Sequence, residues 1–163
     1  MVGVLALAAT ACPTDPGPPQ PAPGRYVATT GADTGDCATP STACLTVNYA
    51  VSQATAGQTV FVSAGTYPEM VNVDKSLVFS GPNAGKSAGT SPETRGAEAT
   101  VKGFRSPGSP HPTSAYQFDV TIDGFSVDPQ GDTTLLTPDT KNLISLFGGN
   151  DVKVINNVVS GGP

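Results

Sequence analysis

From Gly57 onward, apolar residues alternate with polar ones in short bursts: Val60 and Val62, Val71 and Val73, Leu77 and Phe79, Val120 and Ile122, Phe125 and Val127, Val152 and Val154. Period two over three to five residues, broken by Gly, Asn, Asp or Pro, predicts short half-buried strands joined by turns. One strand phrase recurs as Val60-Phe61-Val62, Leu77 to Gly81, Ala99 to Gly103, Val120 to Gly124 and Val152 to Asn156, with starts 17, 22, 21 and 32 residues apart. A near-constant spacing of that size predicts a solenoid. Second strands at Val71-Asn72-Val73, Phe125-Ser126-Val127 and Val158-Val159 make each repeat a coil of two or three strands, stacked in parallel at about 4.8 Å. Five coils would stand about 20–25 Å tall. The 32-residue step over 129–150 predicts a coil carrying an inserted loop, and 86–98 and 105–114 read as lateral loops.

The pattern before Gly57 is different. Leu45, Val47, Ala50, Val51 and Ala54 fall on one face at helical spacing, with Asn48, Ser52, Gln53 and Thr55 opposite, and Gly57 follows as a stop. This predicts a helix over about 46–55 that lids the open end of the stack, with coils from about 58. Composition agrees with strands and turns: of 163 residues, 19 are Gly, 16 are Pro and only 13% are charged. The formal charge of −5 and the lack of any Lys/Arg cluster argue against nucleic acid as a partner. The absence of Trp weakens any reading of a sugar-stacking platform.

The N-terminus reads as address and tether. Val2 to Ala11 is apolar, too short to span a bilayer, and ends in small residues, as a secretory segment does. Six of the sixteen prolines then fall between Pro13 and Pro23, which keeps 13–25 extended as a linker. An apolar run, small residues and a Cys resemble the bacterial lipoprotein signal over 1–12, with Ala9 where the lipobox usually has Leu. That resemblance implies a lipid on Cys12 and attachment to a membrane at the cell surface or in the periplasm; the other reading is an ordinary signal peptide with an incidental Cys. In an exported chain, Cys37 and Cys44 are most simply a disulfide pinning a local turn. A zinc site would need more ligands than the lone His111 can add.

Two motifs invite chemistry. Gly81 to Ser87 ends in Gly-Lys-Ser like a nucleotide-binding loop, but the spacing needs Gly at position 80, which is Ser80, and Ala88 to Gly96 is no helix; a plain turn and no nucleotide is the expectation. Asp119, Asp123 and Asp128 sit in one coil, and Asp119 and Asp123 share parity on the outward face, so this pair is a candidate calcium site, with Lys102 and Arg105 one coil earlier as candidate bases. The other reading is solvated Asp at turns and strand faces. Glu69 and Asp74 read as the polar partners of a coil corner.

Tyr26 to Asp33, the Thr46 to Ala54 helix, Gly57 to Val62, Gly65 to Glu69 and Lys75 to Gly81 follow one another as at the N-terminus of right-handed parallel β-helix proteins of the pectin-lyase-like superfamily, and Val152 to Asn157 resembles one of that family's coil repeats. The resemblance covers 26–163 and implies an all-β, right-handed parallel β-helix (solenoid) with an N-terminal capping α-helix. Gly65-x-Tyr67-x-Glu69-x-Val71 is similar to an early pectin methylesterase motif, but the family's catalytic carboxylates and arginine lie in later motifs, so no catalytic residue is carried over. Two functions are expected. One is an exported, surface-anchored, noncatalytic scaffold that binds polysaccharide or serves in the cell envelope, with no cofactor beyond a calcium ion. The other is the N-terminal fragment of a polysaccharide lyase or carbohydrate esterase whose active site lies beyond residue 163, as an ending in mid-coil at Pro163 suggests.

Overall fold

The structure, a computed structural model, describes residues 23–89, 95–106, 118–132 and 142–160. Apart from one helix and a single helical turn at Pro40–Thr42, its regular elements are strands. In chain order they are β1 (Gly24–Val27), α1 (Val47–Gln53), β2 (Thr59–Val62), β3 (Gly65–Asn72), β4 (Leu77–Ser80), β5 (Ala99–Arg105), β6 (Phe118–Asp123), β7 (Ser126–Val127), β8 (Ile144–Ser145), β9 (Gly149–Ile155) and β10 (Val158–Val159). They form two sheets. The first runs β1-β2-β4-β6-β9 and the second β10-β7-β5-β3, with β8 also paired to β5. Every pairing is parallel.

Register follows the alternation read in the sequence. Val60 pairs with Phe79, Phe79 with Ile122 and Ile122 with Val154, so one inward row crosses the first sheet, with Leu77, Val120 and Val152 beside it. Tyr67, Val101, Val127 and Val159 form the matching row of the second sheet. The two faces share one core. An edge-to-face chain of rings, Phe79 to Phe104 at 5.3 Å and Phe104 to Phe125 at 5.4 Å, ties β4 of the first sheet to β5 of the second.

The five-fold phrase is not five equivalent strands. Ala99 to Gly103 belongs to β5, in the second sheet, whereas the other four copies lie in the first. The steps within the first sheet, from Val60 to Phe79, Ile122 and Val154, are 19, 43 and 32 residues. Alternation tells a strand from a turn but says nothing about which sheet the strand joins, and corner loops tolerate wide length changes at small entropic cost. The segment expected to be an inserted loop over 129–150 also supplies a strand, since Ile144 and Ser145 extend the pairing of Phe104 and Arg105.

The helix packs against β1, β2 and β3 and buries Val47, Ala50 and Val51, with Ala54 just past its end. It is shorter than the expected 46–55, because Thr46 is its N-cap and Ala54 its C-cap. Leu45, expected on its buried face, precedes the helix and is 43% exposed. Strand β1 opens at Gly24, so Gly24 and Arg25 belong to the sheet rather than to the linker expected over 13–25.

Candidate functional site

The sequence-derived candidates scatter. Cys12 and His111 lie outside the described residues. Cys37 and Cys44 are bonded, with Cα atoms 5.4 Å apart and both residues buried. Asp119 and Asp123 do face outward on β6. Four residues along one strand separates them by about 13 Å, too far for both carboxylates to reach one calcium ion directly. Each is already engaged: Asp119 accepts from the Asp151 amide at 3.2 Å, and Asp123 accepts from the Gly85 amide at 3.1 Å and from Asn156 Nδ2 at 2.8 Å. Lys153 bonds Asp151 at 2.6 Å, and that hydrogen bond holds the lysine pKa above its ordinary value. Asp128 accepts from the Ser160 hydroxyl and the Gln130 amide, which hold its carboxyl below the usual range. Among the described residues, no group of three or more His, Cys, Asp or Glu side chains is arranged to hold a metal ion.

Lys102 and Arg105 lie on β5, in the other sheet from Asp119, and are bound to Asp132 and Asn72 respectively. The Gly81 to Ser87 segment turns over residues 82–85, and the Gly85 amide is taken by the Asp123 carboxylate. Glu69 and Asp74, read as polar groups of a coil corner, have separate roles. Glu69 accepts from the Val47 amide at 2.7 Å and the Asn48 amide at 3.0 Å, capping α1, while Asp74 sits at the surface 3.5 Å from Lys75.

Two clusters were not singled out from sequence. Asn83, fully buried, holds Gly96 and Ala97 through its side chain, and Arg95 grips Glu98 with two bonds of 2.8 and 3.0 Å while donating to the carbonyls of Lys86 and Asn156. Burial pushes the Glu98 carboxyl up, but its bonds to Arg95 and Asn83 and the charges of Arg95 and Lys86 outweigh that and hold it below its ordinary value. No short motif marks this set, because its members are joined only by folding.

The second cluster is concave. The chain doubles back between Thr30–Asp36 and Pro40–Ala43, flanking an open surface cleft of about 470 Å³ whose lining residues are mostly exposed. Its floor is stapled by the Ala32 amide to the Ala43 carbonyl at 3.0 Å and by the Cys37–Cys44 bond just beyond. Gly31 is required there, since a Cβ would strike the Ala43 and Cys44 carbonyls. Tyr49 of α1 donates its hydroxyl to the Gly35 carbonyl at 3.2 Å, so the helix also braces the cleft wall. The dense run of Thr, Gly, Asp and Ser around the two cysteines was the available signal, and its density reads equally as an ordinary turn. Comparison with known proteins finds no matching family model, no similar curated protein and no similar solved structure.

Proposed function

We propose that the two parallel sheets are faces of a right-handed parallel β-helix of the pectin-lyase-like kind, and that the chain is an exported, surface-anchored scaffold that binds polysaccharide. The observation that carries this reading is the route of the chain, which passes from β2 to β3, β4, β5, β6 and β7 by changing sheet at every step while every pairing stays parallel. Parallel strands need a crossover, usually a helix; here each crossover is a strand of the other sheet, as in a coiled stack. Crossovers between parallel strands are right-handed in nearly all cases. The Cys37–Cys44 bond supports passage through an oxidising compartment, and the start of the sequence supports a lipid on Cys12. A rigid stack with loops at its corners supports a binding surface for an extended polymer.

The test has two readouts on the full chain expressed in a bacterium. Intact mass is expected to show acyl chains on Cys12, and the protein is expected to co-sediment with at least one of cellulose, xylan, pectin or peptidoglycan. A cleaved protein with an unmodified thiol rejects the anchor, and failure to co-sediment with all four polymers rejects the binding.

A further inference from the structure

We infer that the cleft beside the disulfide is a binding site for neutral sugar residues, and that it discriminates against acidic ones. This deepens the polysaccharide reading above and rests on it. Thr30, Thr34, Ser41 and Thr42 line the cleft together with Asp36. A hydroxyl both donates and accepts and a carboxylate only accepts, which is the complement that sugar hydroxyls need. Among the described residues, the hydroxyls of Thr30 and Thr34 have no hydrogen-bond partner, and Asp36 uses one oxygen, Oδ1, to hold the Ala38 amide at 3.1 Å. The other oxygen is open to a ligand. On the opposite wall Thr39 fixes Ser41 at 3.0 Å and Thr42 at 2.9 Å through their hydroxyls, so these two groups are oriented before anything binds.

Size and rigidity fit the same use. A volume of about 470 Å³ lies within the roughly 300–1,000 Å³ of small-ligand sites, enough for one or two sugar rings. The disulfide, the Ala32–Ala43 bond and Tyr49 hold the two walls at a set separation, which lowers the cost of ordering on binding. Charge supplies the selectivity. The lining holds no Lys, Arg or His. Asp36 would stand against the carboxylate of a uronate with no cation to offset it. A neutral glycan brings no charge to oppose Asp36, and its hydroxyls can donate to that carboxylate.

The experiment is a titration of the full, disulfide-intact chain followed by amide NMR shifts, with cellohexaose, xylohexaose and mannohexaose as neutral probes and hexagalacturonate as the acidic one. Saturable shifts concentrated at residues 30–43 are expected with at least one neutral probe, and none there with hexagalacturonate. Thr34→Trp, which fills the cleft, is expected to abolish those shifts. Asp36→Asn, which keeps the Ala38 bond and the fold, is expected to weaken neutral binding about tenfold, the size of losing one charge-assisted hydrogen bond. Equal shifts with hexagalacturonate, or no shift at 30–43 with any neutral probe, overturn the inference. Neutral sugars that shift other residues alone overturn the cleft but leave polysaccharide binding standing; absence of shifts together with failed co-sedimentation removes both.

Discussion

Glu69 is aimed by an irregularity in the strand that carries it. Between Tyr67, paired with Val101, and Met70, paired with Gly103, β3 holds one residue more than β5, and Pro68 fills the slot where no amide is needed to donate. The bulge turns Glu69 onto the first amides of α1, beside Asp33, whose carboxylate takes the Leu45 and Thr46 amides at 2.9 Å each. Thr46 completes the cap by accepting from the Tyr49 amide. At the other end Arg25 donates to the Gln53 carbonyl and Lys75 to those of Val51 and Ala54, so anions meet the positive end of the helix dipole and cations the negative end. A seven-residue helix is marginal by itself, and these side chains are a large part of why it forms. Replacing Glu69 with Ala is therefore expected to cost about 1–3 kcal/mol in urea unfolding, with Gln costing less because it keeps an acceptor, whereas Asp74→Ala should stay within about 0.5 kcal/mol. Equal effects at positions 69 and 74 would reject the cap. Glu98 gives a pH signature. Its carboxyl is held below its unfolded value, so its contribution is present above the ordinary Glu pKa of 4.5 and is lost as pH falls through the lower folded value. Glu98→Gln should flatten the acid limb of the stability profile, and an unchanged limb would show that Arg95 does not hold it.

At the scale of elements, the disulfide loop acts as the edge strand that β1 lacks. The Tyr26 amide donates to the Cys37 carbonyl, the Cys44 amide to the Tyr26 carbonyl and the Ala28 amide to the Cys44 carbonyl, all at 2.8–2.9 Å. The outer backbone groups of Tyr26 and the Ala28 amide are thus taken, which protects this stretch of the edge from pairing with another chain. The short loop closed by the bond, seven residues in sequence, puts its direct stabilisation at the low end of about 2–4 kcal/mol. Reduction is expected to do more than that figure implies. It should lower the urea midpoint and also raise concentration-dependent self-association, read by light scattering, because the β1 edge opens. A lower midpoint with unchanged scattering would separate the bond's stabilising effect from edge protection and reject the latter.

The whole molecule is packed unevenly along its rows. Val60, Phe79 and Ile122 are fully buried, yet Val154, next in the same row, is 43% exposed, and Val152 and Val159 end their own rows 39% and 59% exposed. Val47, Ala50 and Val51 of α1 pack against the opposite end of the core. Identical chemistry should therefore have unequal value along one row. Ile122→Ala is expected to destabilise by about 2–5 kcal/mol, while Val154→Ala should cost under about 1 kcal/mol. Comparable losses at the two sites would mean that β9 is covered in solution.

What the sequence determined by itself is the strand content, the faces and the helix. Alternation placed Val60, Phe79, Val120 and Ile122 inward because a strand has no other way to bury every second side chain, and the Val47, Ala50, Val51 spacing needed only a helix to bring those residues to one face. The two cysteines were readable as a pair because seven residues of turn-rich chain bring them together without help from the rest of the fold. Sheet membership was not readable, and equal spacing misled: Ala99 to Gly103 has the same local pattern as the other phrases, and only pairing partners far away in sequence decide that it lies in the other sheet. The roles of carboxylates were equally hidden. Glu69, Asp74, Asp119 and Asp123 are alike as letters, and what separates a helix cap from a surface ion pair or a turn clamp is the group that each one meets: an amide 21, 32 or 38 residues away for Glu69, Asp119 and Asp123, and the ammonium of the next residue for Asp74. The cleft belongs to the same class, since its walls are near in sequence but its shape depends on Gly31 passing under Ala43 and on Tyr49 reaching Gly35. Local periodicity is a property of the chain; partners, register and concavity are properties of the packed state, and tertiary contacts alone fix them.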